Sequence, residues 1–388
     1  MAWNSIIGQL RAKRIVRTAI SSGRVPNAWL FTGPEGVGKD AIAIEVAKAL
    51  RCERLGQNAE PCGTCHGCLT VAELQNPNVQ FVFALPSGKG EDTRSDSPML
   101  KLSDNEIALI REEVAKKARD PYHNISIPRA QQIKISSIRQ IKRDVALSTA
   151  ELGTRIVIIS EAHQMRSEAA NAFLKTLEEP SPKTVLILTT SYPERLLSTI
   201  VSRCQEVRFD LLNDEELVLA FQERNTADAT TAALTAKLAG GSYSKGVELL
   251  QGDLRQVRFD IVSFLRGALK RSPVAAHREI ERVTSTGDRT HLERVLGLLA
   301  LWLRDAYALR LTGNESIIVN QDQLDDIKSF NDKFASAPTE LMIGHVERSI
   351  KAIRRNVQPP LVLTVLAMQL ADACFLPQEG HGSSLVIP

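Results

Sequence analysis

The sequence predicts an α/β domain, a parallel sheet covered by helices on both faces, followed by a wholly helical second part. Three observations carry this expectation. Residues 33–40 read Gly-Pro-Glu-Gly-Val-Gly-Lys-Asp, a phosphate-binding loop set between a strand pattern and a helix pattern. Runs of β-branched and aromatic residues then alternate with helical periods as far as Phe209. Beyond Phe209 the apolar spacing is helical throughout.

Taken in order, residues 29–32 (WLFT) form a short buried-strand pattern that runs straight into the glycine loop. Residues 41–50 (AIAIEVAKAL) have the Ala, Leu, Glu and Lys content of a helix. Strands are expected at 79–84, 156–159, 185–189 and 207–209. Residues 86–98 (PSGKGEDTRSDSP) read as a loop or a segment without fixed structure, and 104–118 as a charged surface helix. The clearest helix is 168–179: Ser167 is its expected cap, and Ala170, Phe173, Leu174 and Leu177 form one apolar face. Pro180 follows its end. Later, Leu292, Val295, Leu296, Leu299 and Leu303 recur at helical spacing, as do Leu361, Val365, Leu366 and Leu370. The tail 377–388 is expected to be frayed.

At 388 residues the chain is long enough for two or three domains, each with its own core. It is 43% hydrophobic and 24% charged, ordinary for a globular protein. A net charge of +3 gives no whole-molecule argument for nucleic acid. No signal peptide and no apolar run long enough for a membrane span are legible, so a cytosolic protein is expected.

The glycine loop carries the first piece of chemistry. In the pattern GxxxxGK[ST], glycines let backbone N–H groups curl around phosphate oxygens, the lysine reaches the β- and γ-phosphates, and the last hydroxyl ligates Mg²⁺. Gly33, Gly36, Gly38 and Lys39 are in place, but Asp40 stands where Ser or Thr is required. That loop admits two readings: Asp40 as a magnesium ligand, or a loop on an ATPase plan that no longer turns over ATP. The second nucleotide element should be a buried strand ending in Asp-Glu. After 156–159 come Ser160 and Glu161, so Glu161 is present and the magnesium-side Asp is replaced by Ser160. Both usual magnesium ligands are thus altered in one chain.

Six cysteines in so long a chain do not make a disulfide scaffold. Four of them, Cys52, Cys62, Cys65 and Cys68, form two CxxC steps sharing Cys65, with Cys52 as a fourth thiolate. This spacing closes a tetrahedron on Zn²⁺, with Gly63 and Gly67 supplying turns. Four thiolates leave no open position, so the zinc is expected to be structural. Around 52–68 the nearby cations are Arg51 and Arg54, and no aromatic side chain is present on which to stack a base. A DNA-reading zinc module is therefore disfavoured. Ser202-Arg203-Cys204 places a guanidinium before a strand, and Cys204 and Cys374 read as core residues.

These pieces, in this order, resemble the delta prime family of bacterial DNA polymerase III clamp-loader subunits, a branch of the AAA+ proteins. The likeness rests on Ile6-Ile7-Gly8-Gln9, the glycine loop, the four-cysteine module and the string Ala170-Asn171-Ala172-Phe173-Leu174-Lys175-Thr176-Leu177-Glu178-Glu179-Pro180. It continues through Pro193-Glu194-Arg195-Leu196-Leu197 to Ser202-Arg203-Cys204. The resemblance implies a RecA-like AAA+ domain over 1–210 with the zinc module at 52–68, a helical lid at 211–253 and a helical collar at 254–376. It implies a part in DNA replication within the DNA polymerase III holoenzyme, a nucleotidyltransferase complex of the bacterial cytoplasm. There such a subunit sits in a ring of five with gamma/tau and delta subunits, and the ring loads the sliding clamp onto primed DNA. Delta prime subunits are stators with poor or no ATPase activity, and Arg203 falls where they lend an arginine to a neighbour's ATP site. Ser191, beside Thr190, falls at the first nucleotide sensor, and Lys245 at the second, where hydrolysing relatives carry Arg. The alternative reading is an ATP-hydrolysing gamma/tau-type subunit, with ATP and Mg²⁺ bound through Asp40. Binding of nucleotide without turnover lies between the two.

Overall fold

The computed structural model describes residues 3–86, 97–100, 102–146, 153–180, 183–251, 254–270, 272–285 and 289–375. The expected tail at 377–388 and most of the expected 86–98 loop lie outside them. The chain divides into two compact units, Met1–Glu248 and Leu249–Pro388.

The first unit is built on five parallel strands: β1 (Ala28–Thr32), β2 (Val79–Val82), β3 (Arg155–Ile159), β4 (Thr184–Thr190) and β5 (Gln205–Arg208). Their order across the sheet is β2-β3-β4-β1-β5. Every residue of β1 and β4 is buried, as a strand covered on both faces requires. Leu30, Val157, Ile159, Leu186 and Leu188 share one core with Ile138, Ile141, Phe173 and Leu177. Those last four sit on helices that come fifth and sixth along the chain, introduced below. Trp29 and Phe31 alternate to the opposite face, where Phe31 meets Phe209 at 5.3 Å between ring centres.

Helix α1 (Leu10–Ser21) precedes β1, and α2 (Lys39–Arg51) follows it and packs against β3 and β4. A short α3 (His66–Ala72) packs on α2. Then come α4 (Asp104–Arg119), α5 (Ile135–Ala146), α6 (Ser167–Glu178) and the single turn α7 (Ser198–Val201). The strand-end chemistry collects at one edge, because β1, β3 and β4 are parallel neighbours. The glycine loop, Ser160-Glu161 and Ser191 all leave from their carboxyl ends, where α/β sheets bind ligands.

Several expectations are corrected here. β2 stops at Val82, two residues short, and β5 runs over 205–208 rather than 207–209. Ser167 is the first residue of α6 rather than its cap: Arg166 flanks the helix and makes no side-chain cap bond. Gly67 lies inside α3 and makes no turn. A Cβ there would stand 2.1 Å from the Arg51 carbonyl oxygen, so Gly67 serves a close approach of α3 to the end of α2. Gly63 does take the left-handed turn, with φ of 73°.

The largest correction concerns 104–118. Helix α4 opens with a reciprocal capping box, Ser103 with Glu106, but it is not simply a charged surface helix. Ile110 packs with Phe83, Leu85, Leu102 and Ile127 in a small core of its own, flanked by Ile107 and Val114. Glu113 and Lys117 are buried on the same side.

After β5, helices α8 (Asp214–Asn225), α9 (Ala229–Ala239) and α10 (Tyr243–Gln251) complete the first unit, with α10 running into the second. The second unit is helical: α11 (Leu254–Leu269), α12 (Pro273–Thr284), α13 (Arg289–Thr312), α14 (Leu324–Lys333), α15 (Thr339–Arg354) and α16 (Pro359–Phe375). The long α13 packs on α11, α14 and α15, and Leu292, Val295, Leu296, Leu299 and Leu303 are all buried, as expected. On α16 the expectation half fails. Leu366 and Leu370 are buried together with Val362, Leu363 and Ala367, whereas Leu361 and Val365 are 59% and 44% exposed. Apolar residues lie on nearly every side of α16, so spacing does not select which face is covered. Among the described residues no helix is long and apolar enough to cross a membrane.

Candidate functional site

Lys39 and Asp40 form the first turn of α2, and the glycine loop before it brings both against the ends of β3 and β4. Lys39 is 5% exposed, and its ammonium is turned onto its own loop. It donates to the Gly33 carbonyl at 2.9 Å, the Pro34 carbonyl at 2.7 Å and Ser191 Oγ at 2.9 Å, with Glu161 Oε1 3.9 Å away. Burial lowers its pKa, opposed by the Glu161 and Asp40 carboxylates.

Both oxygens of Asp40 are engaged. Oδ1 accepts from Thr189 Oγ1 at 2.7 Å, and Oδ2 accepts from Ser160 Oγ at 2.8 Å and from Lys117 Nζ at 2.8 Å. Burial pushes this carboxyl up, but the Lys117 ammonium and the Thr189 and Ser160 hydroxyls hold it below the usual carboxylate range. Asp40 and Ser160, the two altered magnesium positions, are thus bonded to each other.

Glu161 sits at φ 48°, turned back toward the sheet end. Its Oε1 accepts from Ser191 Oγ at 3.2 Å and its Oε2 from the Ser191 amide at 3.3 Å, with His163 Nδ1 3.2 Å from Oε2. Burial raises its pKa, yet His163 and Lys39 bring it down overall.

Other parts of the chain lie against the loop. The Gly36 carbonyl accepts the amide of Tyr243 at 3.0 Å, and a Cβ on Gly36 would lie 2.2 Å from Ser242 Oγ. A Cβ on Gly38 would lie 2.9 Å from the Tyr122 ring. Asn124 donates to Glu35 at 3.3 Å. These contacts use the glycines as close-approach positions, but the groups they admit are side chains and backbone of this protein.

Of the expected site residues, the structure gathers Gly33, Gly36, Gly38, Lys39, Asp40, Glu161 and Ser191 into one network. Lys245 lies on the exposed side of α10, its amide on Ser242 Oγ. Arg203 lies apart, on the turn before β5. Its Nη2 pairs with Glu178 Oε1 at 2.8 Å and its Nη1 donates to the Thr199 carbonyl at 3.1 Å, with the side chain 37% exposed. Cys204 beside it packs against the sheet core, and burial pushes its thiol up to about 12. Sequence reasoning missed Lys117, Tyr122 and Thr189. Lys117 was reachable in part: Ile110, Val114 and Lys117 share one helical face, so it had to lie near that face's core. Nothing in the sequence paired it with a residue 77 positions away.

The depressed carboxylates set an acid limit on stability. In the native state Asp40, Glu161 and Glu113 all lose their protons more readily than in an unfolded chain. Their contribution is therefore complete above the ordinary carboxylate values and is lost as pH falls through the lower native ones. Thermal unfolding is expected to be flat from neutrality to about pH 5 and to weaken steeply below about pH 4. Melting temperatures that stay level well below about pH 4 would contradict this.

The four cysteines form a second site. Cys52 follows α2, and Cys65 caps α3, its sulfur accepting the Cys68 amide at 3.4 Å. All four sulfurs lie within 4.8 Å of one another, with Cys62 and Cys68 at 4.0 Å. Tetrahedral Zn–S bonds of about 2.3 Å set the sulfurs about 3.8 Å apart, so this donor set fits such a metal. Amides of Glu53, Cys62 and Cys65 also point at the sulfurs of Cys65, Cys52 and Cys62. Amide hydrogen bonds from Thr64 and Cys65 pull the Cys62 thiol down to about 5, whereas burial pushes Cys68 up. The four cysteines can hold a metal ion, and His66, the first residue of α3, stands outside the donor set.

A five-stranded parallel sheet in this order, with a glycine loop after β1 and its partners at the ends of β3 and β4, defines an AAA+ module with a RecA-like sheet. A family profile described as DNA polymerase III, delta subunit matches residues 8–213, more than half of the chain, and the protein belongs to that family. Among curated relatives, DNA polymerase III subunit delta' of Bacillus subtilis (strain 168) is 26% identical over 366 residues, covering 94% of this chain and 96% of that one. DNA polymerase III subunit tau of Escherichia coli (strain K12) is 26% identical over 273 residues, covering 68% of this chain and 35% of the longer relative. A solved gamma subunit-related protein of Thermotoga maritima aligns over 93% of this chain and 99% of its own at 16% identity, with a TM-score of 0.42.

Proposed function

We propose that the protein is the stator, or delta prime, subunit of a bacterial DNA polymerase III clamp loader. In this reading it works in the cytoplasm, in a five-membered ring with gamma/tau and delta subunits that places the sliding clamp on primed DNA. It hydrolyses no ATP itself and contributes Arg203 to the ATP site of an adjacent subunit. Its 1–210 domain carries the altered nucleotide loop, 211–253 is the helical lid, and 254–376 is the collar through which the ring assembles. The cysteines at 52, 62, 65 and 68 hold a structural Zn²⁺.

The observation that carries this reading is the state of Asp40. A γ-phosphate and its Mg²⁺ need a free ligand at the head of α2 and open amides around the loop. Here the carboxylate is saturated by three donors, the Tyr122 ring lies against Gly38, and Ser242–Ser244 lie against Gly36, whose carbonyl accepts the Tyr243 amide. Glu161, which would polarise an attacking water, has both oxygens engaged. Arg203, by contrast, is held by a partly exposed ion pair that a neighbouring phosphate can replace, since guanidinium binds phosphate oxygens in the same forked geometry.

Calorimetric titration of the isolated chain with Mg-ATP, with hydrolysis followed in the same sample, separates the two readings. Neither binding nor turnover is expected. Micromolar binding with turnover would mean that Asp40 is a magnesium ligand after all and that the protein is a gamma/tau-type ATPase subunit.

A further inference from the structure

The last turn of α4 and the residues just after it reach the nucleotide loop at three points. Lys117 is the first. Its side chain is 3% exposed, its ammonium lies 2.8 Å from Asp40 Oδ2, and it donates also to the His123 carbonyl at 2.9 Å. Tyr122 is the second. Its ring lies against Gly38 and meets Tyr243 edge-on at 4.8 Å, its hydroxyl accepts the Ile7 amide at 2.8 Å, and its carbonyl accepts Ser244 Oγ at 2.7 Å. Asn124 on Glu35 is the third.

A magnesium ion does not fit this arrangement. Bound to Asp40 at about 2.1 Å, it would stand within a few ångströms of a buried ammonium, two like charges in a medium that screens poorly. We infer that the Lys117 ammonium is the resident cation of the site, and that Lys117 and Tyr122 together form an internal plug that holds the module in one conformation. This accounts for the altered positions as a set. Asp40 is the anchor of the plug rather than a metal ligand. At position 160 a second carboxylate would stand against Asp40, whose direct ammonium partner is Lys117, and Ser160 donates a hydrogen bond instead. The same plug stitches α2, β3, β4 and α4 together at one point and brings the start of α10 onto Tyr122.

The inference concerns this chain's own stability and does not depend on Arg203 or on the assembled ring. Its test is thermal unfolding of the full chain carrying Lys117→Met, Asp40→Asn or both. Each single change leaves a buried charge or its partner uncompensated and is expected to lower the melting temperature by about 10 °C. The double change removes both charges, so it is expected to cost no more than the worse single one and to fold even where Lys117→Met alone does not. Single effects under about one degree, or losses that simply add in the double variant, would overturn the plug. A second measurement uses the unaltered chain: millimolar Mg²⁺ is expected to leave its melting temperature where it was. A rise with Mg²⁺ would mean that the metal displaces Lys117 and that the ammonium is not the resident cation. Should the plug fail while Mg-ATP still neither binds nor turns over, the stator reading stands without it.

Discussion

If the protein is the stator proposed above, ATP turnover of a loader assembled with Arg203→Ala is expected to fall on the order of 10³-fold. An arginine offered in trans stabilises charge that develops on the transferring phosphoryl group, where no water substitutes for it. The isolated variant should fold as before, because the change removes only a surface ion pair and one exposed hydrogen bond to the Thr199 carbonyl. Arg203 and Glu178 are 37% and 46% exposed, and such pairs contribute about 0–1 kcal/mol. Arg203→Lys keeps the charge but loses the planar fork, so it should recover little of the activity. The measurement is steady-state ATPase of the reconstituted loader beside the melting curve of the single subunit. Unchanged turnover with the variant present would remove Arg203 from the mechanism.

Removing the metal from the cysteine module should have the second large effect. Metal analysis of the purified chain is expected to find about one Zn²⁺ per molecule, and Cys65→Ser should lose it. Cys65 is the sensitive position because it is buried, caps α3 and receives two backbone amides, from Glu53 and Cys68. Structural zinc contributes on the order of 10 kcal/mol in small metal-folded peptides. Here the loss should be local, since α3 also packs on α2 through Gly67. The exposed stretch 53–58 should then become a site of rapid proteolysis, with the sheet still folded. A metal-free protein with unaltered melting and unaltered cleavage would show that the thiols alone make the module.

Both effects depend on features that were visible in the sequence to different degrees. The cysteine cluster was legible because CxxC spacing is a local constraint: four sulfurs that close in sequence can meet without help from the rest of the fold. The strands and the glycine loop were legible for a similar reason. A short run such as Val-Leu-Ile-Leu-Thr at 185–189, rich in β-branched residues, fits a strand buried on both faces, and β4 is buried along its whole length. Helix ends were less legible: Ser167 had the right chemistry for a cap and lies one residue too late to be one.

By itself the sequence determined that Asp40 and Ser160 break the magnesium pattern, that Lys39 and three glycines keep the loop, and that Arg203 stands at the turn before β5. It left open whether Asp40 was a ligand in waiting or something else, because a carboxylate's role depends on what faces it. Only the tertiary structure supplied what faces it. Parallel pairing of β3 and β4 brought Ser160 and Thr189 to Asp40, and the small core around Ile110 set α4 so that Lys117 reached the same carboxylate. The separation along the chain is the physical reason. Periodicity and propensity speak for neighbours within a few residues, whereas an ion pair across 77 residues is chosen by packing, and packing is a property of the folded chain as a whole.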